Sequence, residues 1–280
     1  MWKMNLCLGT SPRFGLPNLE QIDLFQKIGF NGFFVNWDEN TDLMEIRRHA
    51  DETGMYFQSV HAPFAKMDRL WYPDEFTEPT VQRLLSCLEA CKTAKVPIMV
   101  LHAFITFTRN EATPEGIANF RRVVDAARDS GVKLAVEITE GEAYLYALMD
   151  AFRDEPHEGF CWDTGHEMCY NYHRDLLADF GERLLCTHLN DNLGILDPAG
   201  SITFHDDLHM LPFDGIADWQ DITARLNRWN FDGPLTFELK WPTNLNHGDH
   251  AIYGEMDITG YLTHAYIRAC KVAALKLRGK

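Results

Sequence analysis

Short apolar segments alternate with longer amphipathic segments along the whole chain, and this alternation restricts the fold more than any other feature. Runs such as Ile98–His102 are apolar almost throughout, which is typical of strands in a parallel sheet covered by helices. Eight alternations in 280 residues predict one (β/α)8 TIM barrel, an α/β fold, as a single domain over residues 1–280. A doubly wound open sheet is the alternative. The eight predicted strands are Leu6–Gly9, Gly32–Asn36, Tyr56–His61, Ile98–His102, Leu134–Ile138, Gly159–Asp163, Leu184–Leu189 and Leu235–Leu239.

Segments with helical spacing of apolar residues lie between these strands. Start and stop signals frame several of them, such as Thr113-Pro114 before one helix and Gly54 and Gly131 after two others. A final helix is expected after Glu255. The longest irregular stretch runs from 190 to 217, and loops of that length in compact domains are usually functional or disordered. The predicted helices include Asn18–Lys27, Leu43–Glu52, Thr80–Thr93, Pro114–Asp129 and Asp218–Trp229.

Charge and cysteine usage narrow the class of protein. The chain has 26 lysines and arginines against 41 aspartates and glutamates, a formal net charge of −15 with histidine neutral. Such a surface repels phosphate backbones and anionic lipid, so neither nucleic acid nor membrane is the expected partner. Seven cysteines without a CxxC pair predict small buried thiols in a reduced compartment. With no signal peptide at the first residues and no apolar run long enough for a bilayer, a cytoplasmic location is expected.

Ionisable residues recur at or near the carboxyl ends of six consecutive predicted strands. In a parallel barrel these ends meet on one face, so side chains that are far apart in sequence converge there. Burying several of them unpaired would cost a great deal of free energy, which favours a functional site over six independent structural roles. The six residues are His61, His102, Glu137, Asp163, His188 and Glu238.

Three histidines and three carboxylates are typical of a divalent metal centre. Imidazole nitrogen with carboxylate oxygen suits Mn²⁺, Zn²⁺, Co²⁺ or Fe²⁺ and disfavours Ca²⁺ or a cysteine-rich zinc site. His166 stands one turn after Asp163, and Asp207 and His209 stand two apart in the long loop, where an extended segment would point both to one side. These three residues are further candidates, as metal ligands or as substrate-binding residues.

Six motifs, in consistent order from His61 to Lys240, carry a resemblance to a known group of proteins. They are Ser-Val-His61-Ala-Pro, Val-Leu-His102-Ala, Leu-Ala-Val-Glu137, Cys-Trp-Asp163-Thr-Gly-His166, Thr-His188-Leu-Asn-Asp-Asn and Thr-Phe-Glu238-Leu-Lys. Together they resemble the xylose isomerase-like TIM-barrel superfamily. That superfamily includes sugar and sugar-phosphate isomerases and epimerases, inosose dehydratases and the endonuclease IV family of AP endonucleases.

The ketose 3-epimerase-like members imply a specific set of roles. By that resemblance Glu137, Asp163, His188 and Glu238 would bind one divalent ion (Mn²⁺, Zn²⁺ or Co²⁺), and the two glutamates would act as catalytic acid and base. A metal beside the substrate oxygens stabilises the enediolate that forms when a proton leaves the carbon next to a carbonyl. Returning the proton to the same carbon is epimerisation, and returning it to the neighbouring carbon is isomerisation.

The rest of the predicted pocket binds substrate. His166, His61 and His102 would then contact hydroxyl groups, and Lys240 would bind a substrate oxygen or pair with a carboxylate. Trp37 follows the second strand, and its flat face would cover the carbon face of a sugar. The expected partner is therefore a small sugar-like molecule, and a homodimer is compatible with exposed aromatics at the pocket rim.

The sequence leaves alternative functions open. Endonuclease IV binds three zinc ions through nine residues, and nine positions of this chain match by order and local motif, so an AP endonuclease is the main alternative. The charge of −15 and the lack of a Lys/Arg cluster in the expected loops argue against it. An inosose dehydratase-like lyase and a sugar sensor without turnover are further alternatives. The nine positions are His61, His102, Glu137, Asp163, His166, His188, Asp207, His209 and Glu238.

Overall fold

A computed structural model describes residues 4–109, 111–171, 174–197, 201–241 and 253–279. Eight parallel strands form one sheet in the order β7-β6-β5-β4-β3-β2-β1-β8, and a bridge between Leu189 and Phe237 joins β7 to β8. The predicted (β/α)8 TIM barrel is confirmed. Its strands are β1 (Leu6–Gly9), β2 (Gly32–Asn36), β3 (Tyr56–His61), β4 (Ile98–His102), β5 (Lys133–Glu137), β6 (Glu158–Asp163), β7 (Leu184–His188) and β8 (Leu235–Phe237).

The first four strands have the predicted bounds, whereas β8 is two residues shorter than predicted. The hydrogen bonds between β7 and β8, which close the barrel, explain this difference. Leu189 N–H donates to Thr236 O at 2.8 Å and Glu238 N–H donates to Leu189 O at 3.2 Å, after which the chain leaves the sheet. Lys240 N–H donates instead to His209 O at 3.1 Å, in the long loop. Glu238 therefore lies just beyond the last strand, where its side chain reaches the cavity at the barrel mouth.

The helices surround the barrel, and the five helices predicted by explicit bounds are all present to within three residues at either end. Thr113 caps the helix Pro114–Ser130 by accepting a hydrogen bond from Gly116 N–H. Gly54 and Gly131 each end a helix, with φ of +72° and +75°. The helices are α1 (Asn18–Ile28), α2 (Leu43–Thr53), α3 (Asp68–Trp71), α4 (Thr77–Thr93), α5 (Pro114–Ser130), α6 (Glu142–Ala151), α7 (Thr164–Cys169), α8 (Leu176–Phe180), α9 (Trp219–Arg228) and α10 (Ile258–Arg278).

The barrel interior shows how strand periodicity positions the site. One small apolar cluster is separate from the large core between strands and helices. Its members stand two or four residues before a candidate ligand on the same strand, and side chains two apart in a strand point to the same side. The interior of β4, β5, β6 and β7 therefore passes from apolar side chains to metal-binding types at the carboxyl ends. The cluster comprises Ile98, Val100, Ala135, Cys161 and Cys186.

The long loop between β7 and α9 is anchored by a buried carboxylate, that of Asp191. Its oxygens accept hydrogen bonds from Phe213 N–H at 2.8 Å, Ala217 N–H at 3.0 Å and Trp219 Nε1–H at 2.9 Å. The backbone of Asp191 also pairs with Met210 in an isolated antiparallel bridge. These contacts hold residues 210–217 of the loop at the barrel mouth, with Asp207 and His209 close to the strand ends.

All seven cysteines are unpaired, and six of them are buried, as predicted for small structural thiols. Cys270 is partly exposed. Across the residues that the structure describes, no helix has the length and apolarity that crossing a membrane requires.

Asp191→Ala is expected to lower the free energy of unfolding by about 3 kcal/mol, because buried N–H groups lose a charged acceptor. Urea denaturation followed by circular dichroism measures this change. Asp129→Ala serves as the control, since Asp129 is exposed near the end of α5 and its loss should leave stability within about 0.5 kcal/mol. Equal stability of the two variants would show that Asp191 does not anchor the loop.

Candidate metal centre

Glu137 lies at the centre of the residues predicted to converge. Its carboxylate is fully buried, and Oε1 is 2.8 Å from His188 Nδ1. Oε2 is 3.0 Å from His61 Nε2 and 3.4 Å from His102 Nε2. Side chains from β3, β4, β5 and β7 thus meet at one carboxylate, although the sequence separates them by up to 127 positions.

A second carboxylate, that of Glu238, approaches the same imidazole. Glu238 Oε2 is 3.0 Å from His188 Nδ1, and its side chain is 24% exposed, whereas that of Glu137 is 0% exposed. Asp163, at the end of β6, completes a set in which one ligand atom from each residue lies within 4.8 Å of the others. The set is Glu137, Asp163, His188 and Glu238, and we call it the central group.

Two further groups flank the central group and extend the site toward the long loop. The inner group is His61, His102 and Glu137, which shares its glutamate with the central group. The loop group is His166, Asp207 and His209. In the loop group, Asp207 Oδ2 is 2.8 Å from His209 Nε2 and Oδ1 is 3.6 Å from His166 Nε2. The structure thus places all nine sequence candidates in three overlapping or adjacent groups.

Backbone carbonyls fix the orientation of three histidine rings. The Nδ1 atoms of His61, His166 and His209 lie 2.8, 2.8 and 3.1 Å from the carbonyl oxygens of Ala62, Ile138 and Glu238, and each donates a proton there. In a neutral ring Nε2 then carries a lone pair, and in all three rings Nε2 faces a carboxylate oxygen. Two acceptors that face each other require a cation between them, either a proton on the ring or a metal ion.

Some buried polar atoms of the site have no hydrogen-bond partner. Among the residues that the structure describes, these atoms include His102 Nδ1, His188 Nε2 and Asp207 Oδ1. Buried polar groups are normally satisfied, so a cluster of unsatisfied ones at a set of N and O ligands needs an explanation. In His102 and His188 the nitrogens that face the carboxylates are the opposite ones, Nε2 and Nδ1. The ring orientations and the donor types, rather than these atoms, are therefore what fits a divalent ion bound by imidazole and carboxylate.

The charges within the site are strongly coupled. Burial raises the pKa of Glu137, but His188, His102 and His61 outweigh this effect and hold it well below its usual value. Glu238 is affected in the same way: burial is outweighed, chiefly by His188, and its pKa falls to about 2. Both glutamates are therefore ionised at neutral pH, as metal ligands and general bases must be.

Two residues that line the cavity, His102 and Glu140, have pKa values shifted toward the neutral form of each side chain. Burial lowers the pKa of His102 to about 4, so its ring is neutral at pH 7 and has a free lone pair for a ligand. Phe64 stacks on this ring with centroids 4.9 Å apart. Burial raises the pKa of Glu140 to about 7, and its carboxyl group accepts a hydrogen bond from Thr106 N–H. Sequence reasoning missed Glu140, because no motif surrounds it.

A cavity of about 600 Å³ opens above the three groups, a size suited to a small molecule. The predicted substrate-binding residues Lys240, His166, His61 and His102 line it, as do Asp207, His209 and Glu238. Trp37 does not line this cavity: its side chain packs in the hydrophobic core, and the neighbouring Asn36 faces the cavity instead. A role for Trp37 in substrate binding therefore has no support from its position.

Asn190 positions Asp163 through its side-chain amide. Its Nδ2 lies 3.1 and 3.0 Å from the two carboxylate oxygens of Asp163 and 3.4 Å from His188 O. A Cβ on Gly165 would overlap Asn190 Oδ1, so the glycine after Asp163-Thr164 is needed for this close approach. Cys161 Sγ also lies within 4.8 Å of ligand atoms of Glu137 and His188. Cys161 stands two residues before Asp163, so the period-two spacing of β6 places both on the same side of the strand.

The chain belongs to the xylose isomerase-like TIM barrel family, whose model matches residues 22–257. Among curated proteins it is similar to y4fM of Sinorhizobium fredii (strain NBRC 101917 / NGR234). The two are 28% identical over 262 residues, which cover 78% of this chain and 79% of the relative. The resemblance inferred from the strand-end motifs is confirmed.

Solved structures with the same fold cover nearly the whole chain. The IOLI protein with a zinc atom superposes with a TM-score of 0.76 at 17% identity, covering 97% of this chain and 98% of that one. L-ribulose 3-epimerase superposes with a TM-score of 0.73 at 13% identity, covering 99% and 96%. A TIM barrel/4-hydroxyphenylpyruvate dioxygenase fusion protein has a TM-score of 0.69 at 14% identity over 90% of this chain, which spans 41% of the fusion protein. At these identities the likeness shows the fold.

Asn190→Ala is expected to weaken binding of a divalent ion about 10- to 100-fold, because Asp163 loses the amide that holds both its oxygens. Competition between the protein and a chromogenic chelator measures this affinity. Asn227→Ala is the matched control, since Asn227 lies on α9 and donates to Lys276 O, far from the ligands. Unchanged affinity in Asn190→Ala would remove Asn190 from the metal centre.

Proposed function

We propose that this protein is a divalent-metal-dependent isomerase or epimerase that acts on a sugar, a sugar phosphate or a related polyol ketone. The observation that carries the proposal is a pair of carboxylates: that of Glu238 lines the cavity, and that of Glu137 is buried behind it. Glu137 and Glu238 both approach His188 Nδ1, at 2.8 and 3.0 Å, and both belong to the central group. Two ionised glutamates beside one metal-binding group are what a proton transfer at a carbon next to a carbonyl requires.

The central group would hold the ion, and Mn²⁺, Zn²⁺ and Co²⁺ all suit its nitrogen and oxygen donors. When bound, the ion supplies positive charge that stabilises an oxyanion of the substrate. Glu137 and Glu238 are the bases nearest to that position. One of them takes the proton from the carbon beside the carbonyl, and the other returns a proton to the same carbon or to its neighbour.

The cavity walls suit a polyhydroxylated substrate. His166, Lys240 and Glu140 present polar groups to it, and Phe64 presents an aromatic face over His102. The cavity holds a molecule of sugar size, and hydroxyl groups would satisfy the polar atoms of its walls. We infer that the partner is a small sugar-like molecule rather than nucleic acid or a membrane, in line with the net charge of −15.

The comparisons support this reaction class. L-ribulose 3-epimerase has the same fold, and so does D-psicose 3-epimerase, whose structure was solved in the presence of D-fructose. The zinc atom in the IOLI protein supports a metal in this one.

Glu137→Gln and Glu238→Gln are each expected to lower turnover at least about 100-fold, because a neutral amide cannot accept the proton. Incorporation of solvent deuterium into a panel of ketoses, followed by NMR, measures the step directly. Glu115→Gln, an exposed change at the start of α5, is the control and should retain full exchange. Exchange that persists in Glu137→Gln, or protein purified without chelator that contains no divalent ion, would overturn the proposed mechanism.

A zinc-dependent AP endonuclease is the second candidate, and one observation favours it: the nine ligand-type residues form three groups rather than one. Against it, Arg13 and Lys240 are the lysine or arginine side chains among the described residues that line the cavity, which is few for a duplex. We expect fewer than three zinc ions per chain by elemental analysis and no nicking of an abasic duplex. Three ions together with nicking would replace the sugar reaction with this one.

A further inference from the structure

Lys240 makes an ion pair that the reaction proposed above does not use. It lies two residues after Glu238, and its ammonium nitrogen is 2.6 Å from Asp207 Oδ2 and 3.4 Å from Asp207 O. The Asp207 side chain is 10% exposed and that of Lys240 is 32% exposed, so the carboxylate is largely buried and the ammonium is in part accessible from the cavity. Asp207 belongs to the loop group. Its carboxylate, a candidate metal ligand, is thus already paired with a cationic side chain of the protein.

The loop group differs in this respect from the central group. Glu137 and Glu238 meet imidazole rings, which are neutral when they bind a metal. Asp207 meets both an imidazole, that of His209 at 2.8 Å, and the side-chain nitrogen of Lys240 at 2.6 Å. A divalent ion at the loop group would share one carboxylate with this ammonium, at a distance where like charges repel strongly in a partly buried site.

The ammonium also performs the structural task that an ion would perform there. It joins the long loop to the end of β8, where Lys240 N–H donates to His209 O at 3.1 Å and His209 Nδ1 donates to Glu238 O at 3.1 Å. These contacts hold Asp207 and His209 beside the cavity. The chain itself therefore supplies a cation at Asp207 Oδ2, whereas Asp207 Oδ1 has no hydrogen-bond partner.

We propose that the Lys240 ammonium replaces a divalent ion at the loop group, so that the protein binds metal only at the groups that contain Glu137. Lys240 is in this sense a residue that sets the number of ions. The inference concerns metal binding and does not depend on which sugar, if any, is turned over.

Zinc content per chain tests the proposal. The full chain is saturated with Zn²⁺, desalted and measured by elemental analysis. Lys240→Met removes the charge and keeps the length of the side chain, and it is expected to bind one more zinc ion per chain than the unmodified protein. Lys240→Arg keeps the charge and should bind the same number as the unmodified protein. Adding Asp207→Asn to Lys240→Met should remove the extra ion, because it removes the carboxylate of the loop group.

Two results would overturn the proposal. One is three zinc ions in the unmodified protein, and the other is an unchanged zinc count in folded Lys240→Met. If Lys240→Met does not fold, Asp207→Asn in the otherwise unmodified chain decides the question. Its zinc count should equal that of the unmodified protein, and the loss of one ion would show that Asp207 is a ligand. A gain of one zinc ion in Lys240→Met, together with no deuterium exchange into any ketose by the unmodified protein, would overturn only the proposed function.

Discussion

The buried carboxylate of Glu137 is the group on which the site depends. A fully buried, ionised glutamate is tolerable only where positive charge or hydrogen-bond donors surround it. Here three imidazole rings from β3, β4 and β7 approach its two oxygens within 3.4 Å. The ends of these strands are thereby tied to one point at the barrel mouth. Removing the carboxylate would leave the three rings without their common partner.

A second set of contacts decides which atoms of the rings face the cavity. The carbonyls of Ala62, Ile138 and Glu238 accept from Nδ1 and leave Nε2 of three histidines directed at carboxylates. Asn190 performs the equivalent task for Asp163. None of these backbone and amide groups is a metal-ligand candidate, yet they determine whether the candidates are usable as ligands.

Charge is distributed unevenly over the three groups. The central and inner groups combine ionised carboxylate with imidazole, whereas Asp207 of the loop group also pairs with the ammonium of Lys240. On the proposal above, the number of ions that these nine residues bind depends on this tenth residue beside them. The same proposal distinguishes a site for proton transfer on a small ketone from a site for three metal ions.

The sequence by itself determined the barrel and the candidate ligands, because both follow from local periodicity: eight strand-helix alternations, with His102, Glu137, Asp163 and His188 in phase with interior residues two positions earlier. Only the tertiary structure decided how these candidates divide into groups, that Trp37 packs in the core, and that Lys240 pairs with Asp207 across 33 positions. Pairing between strand ends depends on barrel closure and on the path of the long loop. Neither is encoded in the spacing of residues along one segment, so distances across the mouth could not be read from the sequence.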